Sequence, residues 1–335
     1  MPKNKQIEAA LEQFDPITIA QMKEIRLMDR IDTKFISSMS QVLSILEMAG
    51  SNYFVQEIDD TARIPEPAAL QPAEQQQAAA QAPQQPAEQQ SAAQPTAAPA
   101  LQQQAEQPQA AAPALQQTAE QQQAPQPTGQ LKCRLCSYRT LYYDTPGRDM
   151  YILHHNRHLK RQKIRSRVYV ESDLYFIEVK NKSNKGRTAK VRTTIRPGAF
   201  MNVTADPDAR EYLKDKSDFP VDTLEPALMT EFDRITLVNK ARTERVTIDT
   251  NLRFTNQRTG ISVCPEQLAI LELKRDGRAE SGMLKILNEL RIKNISVSKY
   301  CIGTAMTDPE IKKNRFKKKI RLISKITPLN YDSAK

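Results

Sequence analysis

The stretch RQKIRSRVYVESDLYFIEVKNK, residues 161–182, predicts two β-strands joined by a tight turn at ESD. Alternate side chains of a strand point to opposite faces of the sheet. The charged residues of each strand therefore share one face: Lys163, Arg165 and Arg167 on the first strand, Glu178 and Lys180 on the second. Apolar residues occupy the other face, so the stretch predicts an antiparallel hairpin with one charged and one apolar side.

Three further segments repeat this pattern of one charged and one apolar face. They are RIDTKFIS with Arg30, Asp32 and Lys34, ERVTIDTNLRF with Arg245, Thr247 and Asp249, and LAILELKRD with Glu272 and Lys274. For one strand alone, the simpler interpretation is that the charges face water and the apolar side forms the core. Five such strands, together with helices that can cover the apolar faces, favour a barrel with a charged interior.

The remaining pattern is a series of strands with a few helices. Strands are predicted at 30–37, 51–58, 138–144, 161–170, 174–182, 188–196, 232–240, 244–250, 268–275 and 295–301. Helices are predicted at 4–14, about 40–49, 205–216 and 281–291. A long meander of this kind usually closes into a barrel or a sandwich.

One segment cannot contribute to a core. Residues from about 65 to 128 are almost entirely Gln, Ala, Pro and Glu, a composition typical of disorder. The predicted organisation is a first part of one domain (1–64), a disordered insertion (65–129), and the rest of that domain with a basic tail (130–325). The flanking strands are expected to form a hairpin, because long insertions at hairpin tips cost little stability.

Charge and cysteine content limit the class of protein. The net charge of +10 favours a polyanionic partner: nucleic acid, phosphorylated metabolites or an acidic membrane surface. Four cysteines are too few for a disulfide framework in 335 residues, which indicates a reducing compartment. The sequence shows neither a signal peptide nor a membrane-spanning apolar run, so we expect a cytoplasmic protein without a membrane span.

A charged interior needs a counter-charge. Two like charges about 6 Å apart repel by roughly 3 kcal/mol at an effective dielectric near 20. Water, carboxylates and above all a bound polyanion must compensate, and Arg and Lys suit phosphate oxygens. Glu178 and Glu272 either neutralise neighbouring cations or bind Mg²⁺ or Mn²⁺ together with substrate phosphates.

In order along the chain, these motifs resemble the polyphosphate polymerase (VTC) domain of the CYTH, or triphosphate tunnel metalloenzyme, superfamily, in a soluble form of bacterial type. The resemblance rests on RIDTKF (30–35), YRTLYYDTP (138–146), HHNRHLKRQKIRSRVY (154–169), FIEVKNKSNKGRT (176–188), ERVTIDTNLRF (244–254), LAILELK (268–274) and SKYCIG (298–303). It implies an α+β fold in which eight antiparallel strands form a β-barrel, the triphosphate tunnel, with helices packed outside.

The resemblance also implies roles for individual residues. The phosphate-binding set would be Lys34, Lys163, Arg165, Arg167, Lys180, Arg245, Arg253, Lys274 and Lys299. Lys34, Arg165 and Arg167 would act on the transferred phosphate. Glu272 resembles the metal-binding glutamate, with Glu178 as the alternative carboxylate for Mn²⁺ or Mg²⁺.

The chain departs from the family pattern in two places. Ser296 lies where the family often has a lysine, and RIDTK replaces the paired-glutamate ExExK motif of the cyclase and thiamine triphosphatase branch. The second departure favours the polymerase-like branch. The sequence also contains neither a phosphate-sensing domain nor membrane helices, so we do not expect coupling to transport.

Two other motifs suggest different partners. Cys133, Cys136, His154 and His158 have zinc-finger-like spacing, but the gap between the pairs is longer than usual and would contain a strand. The basic run at 311–325 would suit nucleic acid or an acidic membrane, or equally a solvated helix at the tunnel mouth that attracts polyphosphate. Nucleic acid is not the expected partner.

The resemblance implies one expected function, given first here, and leaves two alternatives open. The first is transfer of the γ-phosphoryl group of ATP to a growing inorganic polyphosphate. The second is hydrolysis of tripolyphosphate or a nucleoside triphosphate, and the third is a non-catalytic polyphosphate-binding module.

Overall fold

The computed structural model describes residues 3–23, 25, 30–58, 132–185, 187–277 and 279–333. The expected insertion at 65–129 lies outside these residues. Met1–Pro65 and Gln130–Lys335 together form one compact unit.

The chain contains α-helices and β-strands in both parts of the sequence. The helices are α1 (Lys3–Leu11), α2 (Ile19–Lys23), α3 (Met39–Ala49), α4 (Asp149–His155), α5 (Pro207–Lys216), α6 (Gly282–Glu289), α7 (Lys299–Thr307) and α8 (Lys317–Ile326). The strands are β1 (Asp15–Ile17), β2 (Arg30–Ser38), β3 (Tyr53–Gln56), β4 (Cys136–Asp144), β5 (Arg161–Tyr169), β6 (Leu174–Lys182), β7 (Thr188–Thr194), β8 (Glu225–Asn239), β9 (Glu244–Asn256), β10 (Ile261–Cys264), β11 (Leu268–Asp276) and β12 (Asn330–Ser333).

Eight of these strands form a curled antiparallel sheet in the order β2-β11-β9-β8-β4-β5-β6-β7. The predicted α+β class and eight-stranded antiparallel architecture are therefore confirmed. The sheet is a half-barrel, and in the described residues no hydrogen-bonded ladder joins its edge strands β2 and β7. Strand β3 extends one side of β8, and β10 and β12 extend the end of β9.

The convex face of the sheet carries the apolar side of each alternating strand. Leu271 and Leu273 of β11 and Val246 and Ile248 of β9 pack with α1, α3 and α6 in one cluster. A second cluster covers β4, β5 and β6 and includes residues of α5. As predicted, the helices bury the apolar faces, and the charged faces turn to the concave side.

Helix α7 fills one end of the concave side. All its residues except the first are buried. A Cβ on Gly303 would come within 2.6 Å of Phe254 and 2.7 Å of Leu228, so only glycine allows this approach. The prediction of a strand at 295–301 is wrong here: Ser298 caps the helix by accepting a hydrogen bond from the Cys301 amide, which favours helix over strand.

The strands on either side of the insertion do not form the predicted hairpin. Strands β3 and β4 both pair with β8, β3 at 237–239 and β4 at 225–234. They follow one another along the same strand. Ile58 and Cys133 exchange two backbone hydrogen bonds of 2.8 and 2.9 Å, so the chain leaves and returns at one place. We propose that the insertion interrupts one domain at this place.

Candidate active site

The concave side of the half-barrel gathers charged residues from seven strands and one helix, and we call this set the basic groove. Its members are Lys34, Lys163, Arg165, Arg167, Glu178, Lys180, Lys190, Arg234, Arg245, Asp249, Glu272, Lys274 and Lys299. The register explains the grouping, because residues opposite each other on neighbouring strands share a face. Arg165 lies opposite Glu178, and Glu272 lies between Lys34 and Thr247.

Arg165 is fixed by a buried carboxylate. Its Nε and Nη2 lie 2.7 and 2.5 Å from Oε2 of Glu178, and Oε1 of Glu178 accepts from Lys190 at 2.9 Å. Burial alone would raise the pKa of Glu178, but the charges of Arg165, Arg167 and Lys190 lower it well below its usual range. Glu178 is thus a permanent anion that orients Arg165.

Tyr142 lies between this ion pair and helix α7. Its hydroxyl accepts a hydrogen bond of 3.2 Å from Nη1 of Arg165, and its ring stacks on Tyr300 of α7 at 5.1 Å. Burial would raise its pKa, but Arg165, Arg167 and other cations lower it to about 8. The lowered pKa of Tyr142 therefore indicates that positive charges dominate its surroundings.

Arg167 is buried, but most of its N–H groups remain available as hydrogen-bond donors. Its Nε donates to the Thr140 hydroxyl at 3.1 Å, and its guanidinium lies 5.8 Å from the Tyr138 ring centre. In the described part of the chain it forms no ion pair. Its remaining N–H groups can bind a phosphate oxygen.

A second buried ion pair joins β8 and β9. Arg234 binds both oxygens of Asp249 at 2.6 and 2.9 Å, and the Lys299 amine contacts Oδ2 of the same carboxylate. The Lys299 amine also lies 4.2 Å from the ring centre of Phe232. Burial lowers the pKa of Lys299 to about 8, partly opposed by Asp249. One carboxylate here serves two cations, which leaves a net positive charge.

Glu272 is the carboxylate with an accessible edge. Its Oε2 lies 3.4 Å from the Lys34 amine, and its side chain is 21% exposed. Burial would raise its pKa, but Lys34, Lys274 and Lys180 lower it to about 2. Glu272 is therefore ionised at neutral pH and faces the open groove.

The curl of the sheet brings distant strands face to face. Burial lowers the pKa of Lys180 on β6, and the charge of Lys34 on β2 lowers it further. Burial likewise lowers the pKa of Lys274 to about 8 and the pKa of Arg245. In the residues described, Lys180, Lys274 and Arg245 form no ion pair, so the groove holds uncompensated positive charge.

Arg253 is not brought into the groove. Strand β9 has one extra residue relative to β8 between Thr250 and Arg253, and Asn251 has φ 49°. This bulge shifts the alternation, so Leu252 and Phe254 point to the concave side and Arg253 to the other. Arg253 is exposed and lies 3.7 Å from Asp332. A phosphate-binding role for Arg253 has no support from its position.

The two carboxylates proposed for a metal differ in what they can offer. Both oxygens of Glu178 are used by Arg165 and Lys190, and its side chain is fully buried. Glu272 keeps one oxygen without a hydrogen bond among the described residues. No group of three or more His, Cys, Asp or Glu in the described residues could hold an ion, which includes the zinc-like motif. A divalent cation at Glu272 would therefore take its other ligands from water and substrate phosphates, as Mg²⁺ commonly does.

Sequence reasoning missed Arg234 and Tyr142. Arg234 belongs to EFDRITLVN, whose charged residues are adjacent in sequence, so its face was not evident from alternation. Tyr142 lies on the same face of β4 as Thr140, but a tyrosine among apolar residues is usually interpreted as a core residue. The signal that could have found both is their register opposite groove residues, Asp249 for Arg234 and Arg165 for Tyr142.

The curled antiparallel sheet with helices on its convex side matches the triphosphate tunnel fold. A family model described as the VTC domain matches residues 29–307. The chain belongs to the VTC domain family. No curated protein matches the chain.

The solved structures to which the chain is similar include three described as adenylate or adenylyl cyclase candidates. The one from Bacillus halodurans is 13% identical, covers 49% of this chain and 80% of its own, and has a TM-score of 0.34. The one from Vibrio parahaemolyticus is 12% identical, with 49% and 78% covered and a TM-score of 0.28. An adenylyl cyclase candidate from Hippeastrum, described as having a dominant triphosphatase activity, is 13% identical, with 51% and 82% covered and a TM-score of 0.32. These likenesses are too distant to indicate an activity.

Proposed function

We propose that the chain transfers the γ-phosphoryl group of ATP to the end of an inorganic polyphosphate chain held in the basic groove. The bond between the γ-phosphorus and the β,γ-bridging oxygen breaks, and ADP leaves. A terminal oxygen of polyphosphate forms the new P–O bond. Phosphoryl transfer of this kind depends mainly on positioning and on neutralising charge.

One observation favours phosphate over water as the acceptor: the groove carboxylates are poor bases. An effective general base has a pKa near the working pH. Glu178 and Asp249 are held in ion pairs that lower their pKa values far below neutrality, and the pKa of Glu272 is about 2. None of these three carboxylates is suited to take a proton from water, whereas a terminal phosphate, whose second pKa is about 6, is already anionic at neutral pH and needs no base.

The cations have separate tasks in this proposal. Arg165, oriented by Glu178, and Arg167, with free donors, would bind the transferred phosphate with Lys34. The neighbouring phosphates would be bound by Lys163, Lys180, Arg245, Lys274 and Lys299. Donors already in place when charge develops stabilise a transition state most effectively.

Glu272 would hold the divalent cation, Mn²⁺ or Mg²⁺, together with phosphate oxygens. When bound, such an ion neutralises phosphate charge. The accessible oxygen of Glu272 fits this role, since hard cations prefer carboxylate oxygens. Lys34 at 3.4 Å would keep this carboxylate ionised and oriented.

The location of the protein in the cell is part of the proposal. In the described residues no helix has the length and apolar character of a membrane span. We infer that the chain acts in the cytoplasm, where ATP is supplied.

The test is incubation of the purified protein with ATP and Mn²⁺ or Mg²⁺, followed by a gel stained for polyphosphate and an assay for free phosphate. Long chains with ADP as co-product support the proposal. Free phosphate without chains would instead establish hydrolysis, and tight polyphosphate binding without turnover would establish a binding module.

A further inference from the structure

The groove continues beyond the proposed reaction centre toward one end of the sheet. Arg161 begins β5 and lies opposite Lys182 at the end of β6, and the next pair inward is Lys163 with Lys180. Residues two apart on a strand are about 7 Å apart on the same face. Arg161 and Lys163 therefore extend the line of cations that starts at Arg165.

Helix α8 adds a cation to this end. The helix packs against β2 and α7. The Lys319 amine donates to the backbone oxygen of Ser296 and lies 5.7 Å from the Phe316 ring centre. Lys319 is half-buried, whereas Lys325 on the same helix is exposed. The helix thus turns one of its lysines inward.

The ring of His154 lies among these cations. Burial and the positive charges of Lys163, Arg161, Lys319 and Lys182 together lower its pKa to about 2. Its Nδ1 is buried without a hydrogen-bond partner. The His154 ring lies 6.4 Å from the ring of Phe316, which Lys319 also contacts, and it supplies no anion to this end of the groove.

Among the described residues, no carboxylate forms an ion pair with Arg161, Lys163, Lys182 or Lys319. Lys163 donates to the Ser298 hydroxyl at 2.6 Å, and Arg161 donates to the backbone oxygen of His158 at 2.7 Å. Lys182 and Lys319 likewise form no ion pair among the described residues. Like charges gathered without a counter-ion bind an added polyanion strongly, because binding relieves their mutual repulsion.

We propose that Arg161, Lys163, Lys182 and Lys319 form a second anion site that holds the distal phosphates of a polyphosphate chain. The ligand is a linear phosphate chain longer than a triphosphate. The inference rests on the proposed function to the extent that the terminal phosphates of the same chain occupy the basic groove. Residues of α8 would then select for chain length.

The test compares tripolyphosphate with a long inorganic polyphosphate by calorimetry on the full chain. Lys319→Ala should weaken binding of the long chain about 10-fold, the effect of losing a charged hydrogen bond, and leave tripolyphosphate affinity unchanged. In Lys319→Ala, the slope of log K against log salt concentration for the long chain should become shallower by about 1, the contribution of one phosphate contact. Lys325→Ala removes the same charge from an exposed position and is the matched control.

A second variant guards against a local effect on α8. Lys182→Gln, on β6, should reproduce the chain-length pattern of Lys319→Ala. Equal weakening of both ligands, or equal effects of Lys319→Ala and Lys325→Ala, would overturn the second site. If the wild type makes no polyphosphate from ATP but the variants still weaken only long-chain binding, the polymerase proposal is rejected and the second anion site is supported.

Discussion

Replacing Glu178 by glutamine tests the central electrostatic claim. Glutamine keeps the size of the side chain and one acceptor oxygen but removes the charge. Arg165 then loses its ion pair while it remains largely buried. The groove becomes more positive by one charge at the place where we propose that phosphate binds.

The cost follows from the burial of the pair. The Glu178 side chain is fully buried, Arg165 is 18% exposed and Lys190 is 41% exposed. Removing one partner of a buried ion pair typically costs about 3–5 kcal/mol. Lys190 recovers its hydration, and Arg165 keeps the hydrogen bond to Tyr142. We therefore expect the lower end, about 3 kcal/mol, or roughly 6–12 °C in Tm for a domain of this size.

The assay is thermal and urea unfolding with and without tripolyphosphate. The control is Glu231→Gln, whose ion pair with Arg139 is 3.4 Å long with side chains 39% and 50% exposed. Exposed pairs contribute about 0–1 kcal/mol, so this control should unfold near the wild type. Tripolyphosphate should raise the Tm of Glu178→Gln more than that of the wild type, because the anion replaces the missing charge.

The pH dependence gives an independent check. The pKa of Glu178 is lowered in the folded state, so its contribution is present above its unfolded value near 4.3 and is lost as the pH falls through the folded value. The stability difference between wild type and Glu178→Gln should be full at pH 7 and shrink as the pH falls below 4. A difference under 1 kcal/mol at pH 7, or no extra gain with tripolyphosphate, would refute the reasoning.

Three further predictions concern the proposed metal ligand Glu272, the groove cation Lys274 and Gly303 of helix α7. Glu272→Gln should reduce turnover about 100-fold or more while tripolyphosphate still binds without metal, measured by the polyphosphate gel and calorimetry; unchanged turnover would remove Glu272 from the metal site. Because the pKa of Lys274 is about 8, the affinity for tripolyphosphate should fall as the pH rises above 8. Lys274→Arg should keep its affinity to higher pH, since arginine stays charged, and calorimetry at pH 7 and 9 measures both proteins. An equal loss of affinity between pH 7 and 9 in the wild type and the variant would contradict this. Gly303→Ala should destabilise the fold by about 1–3 kcal/mol in urea unfolding, because its Cβ would overlap Phe254 and Leu228, and a wild-type midpoint would show that α7 can shift freely.

Alternation alone could predict much of the groove. Every second residue is charged from Arg161 to Arg167 in β5 and from Glu178 to Lys182 in β6, and the register places Arg165 opposite Glu178. Period-two patterning is a local property, so it survives in a sequence without knowledge of neighbours. Alternation could not have revealed the position of Arg253, which the family resemblance placed among the phosphate-binding residues, because the bulge near Asn251 changes the parity of β9 without any sign in the alternation.

The sequence by itself determined which faces of the strands are charged, since side chains alternate wherever a strand is regular. It also determined where apolar surface had to be covered by helices. Only the tertiary structure decided which charges meet. Glu178 orients Arg165 and Glu272 faces the open groove because the curl and register of the sheet place them so, and Lys319 reaches the groove end because α8 folds back against β2. Such partners are far apart in sequence, and their pairing depends on the whole packed chain.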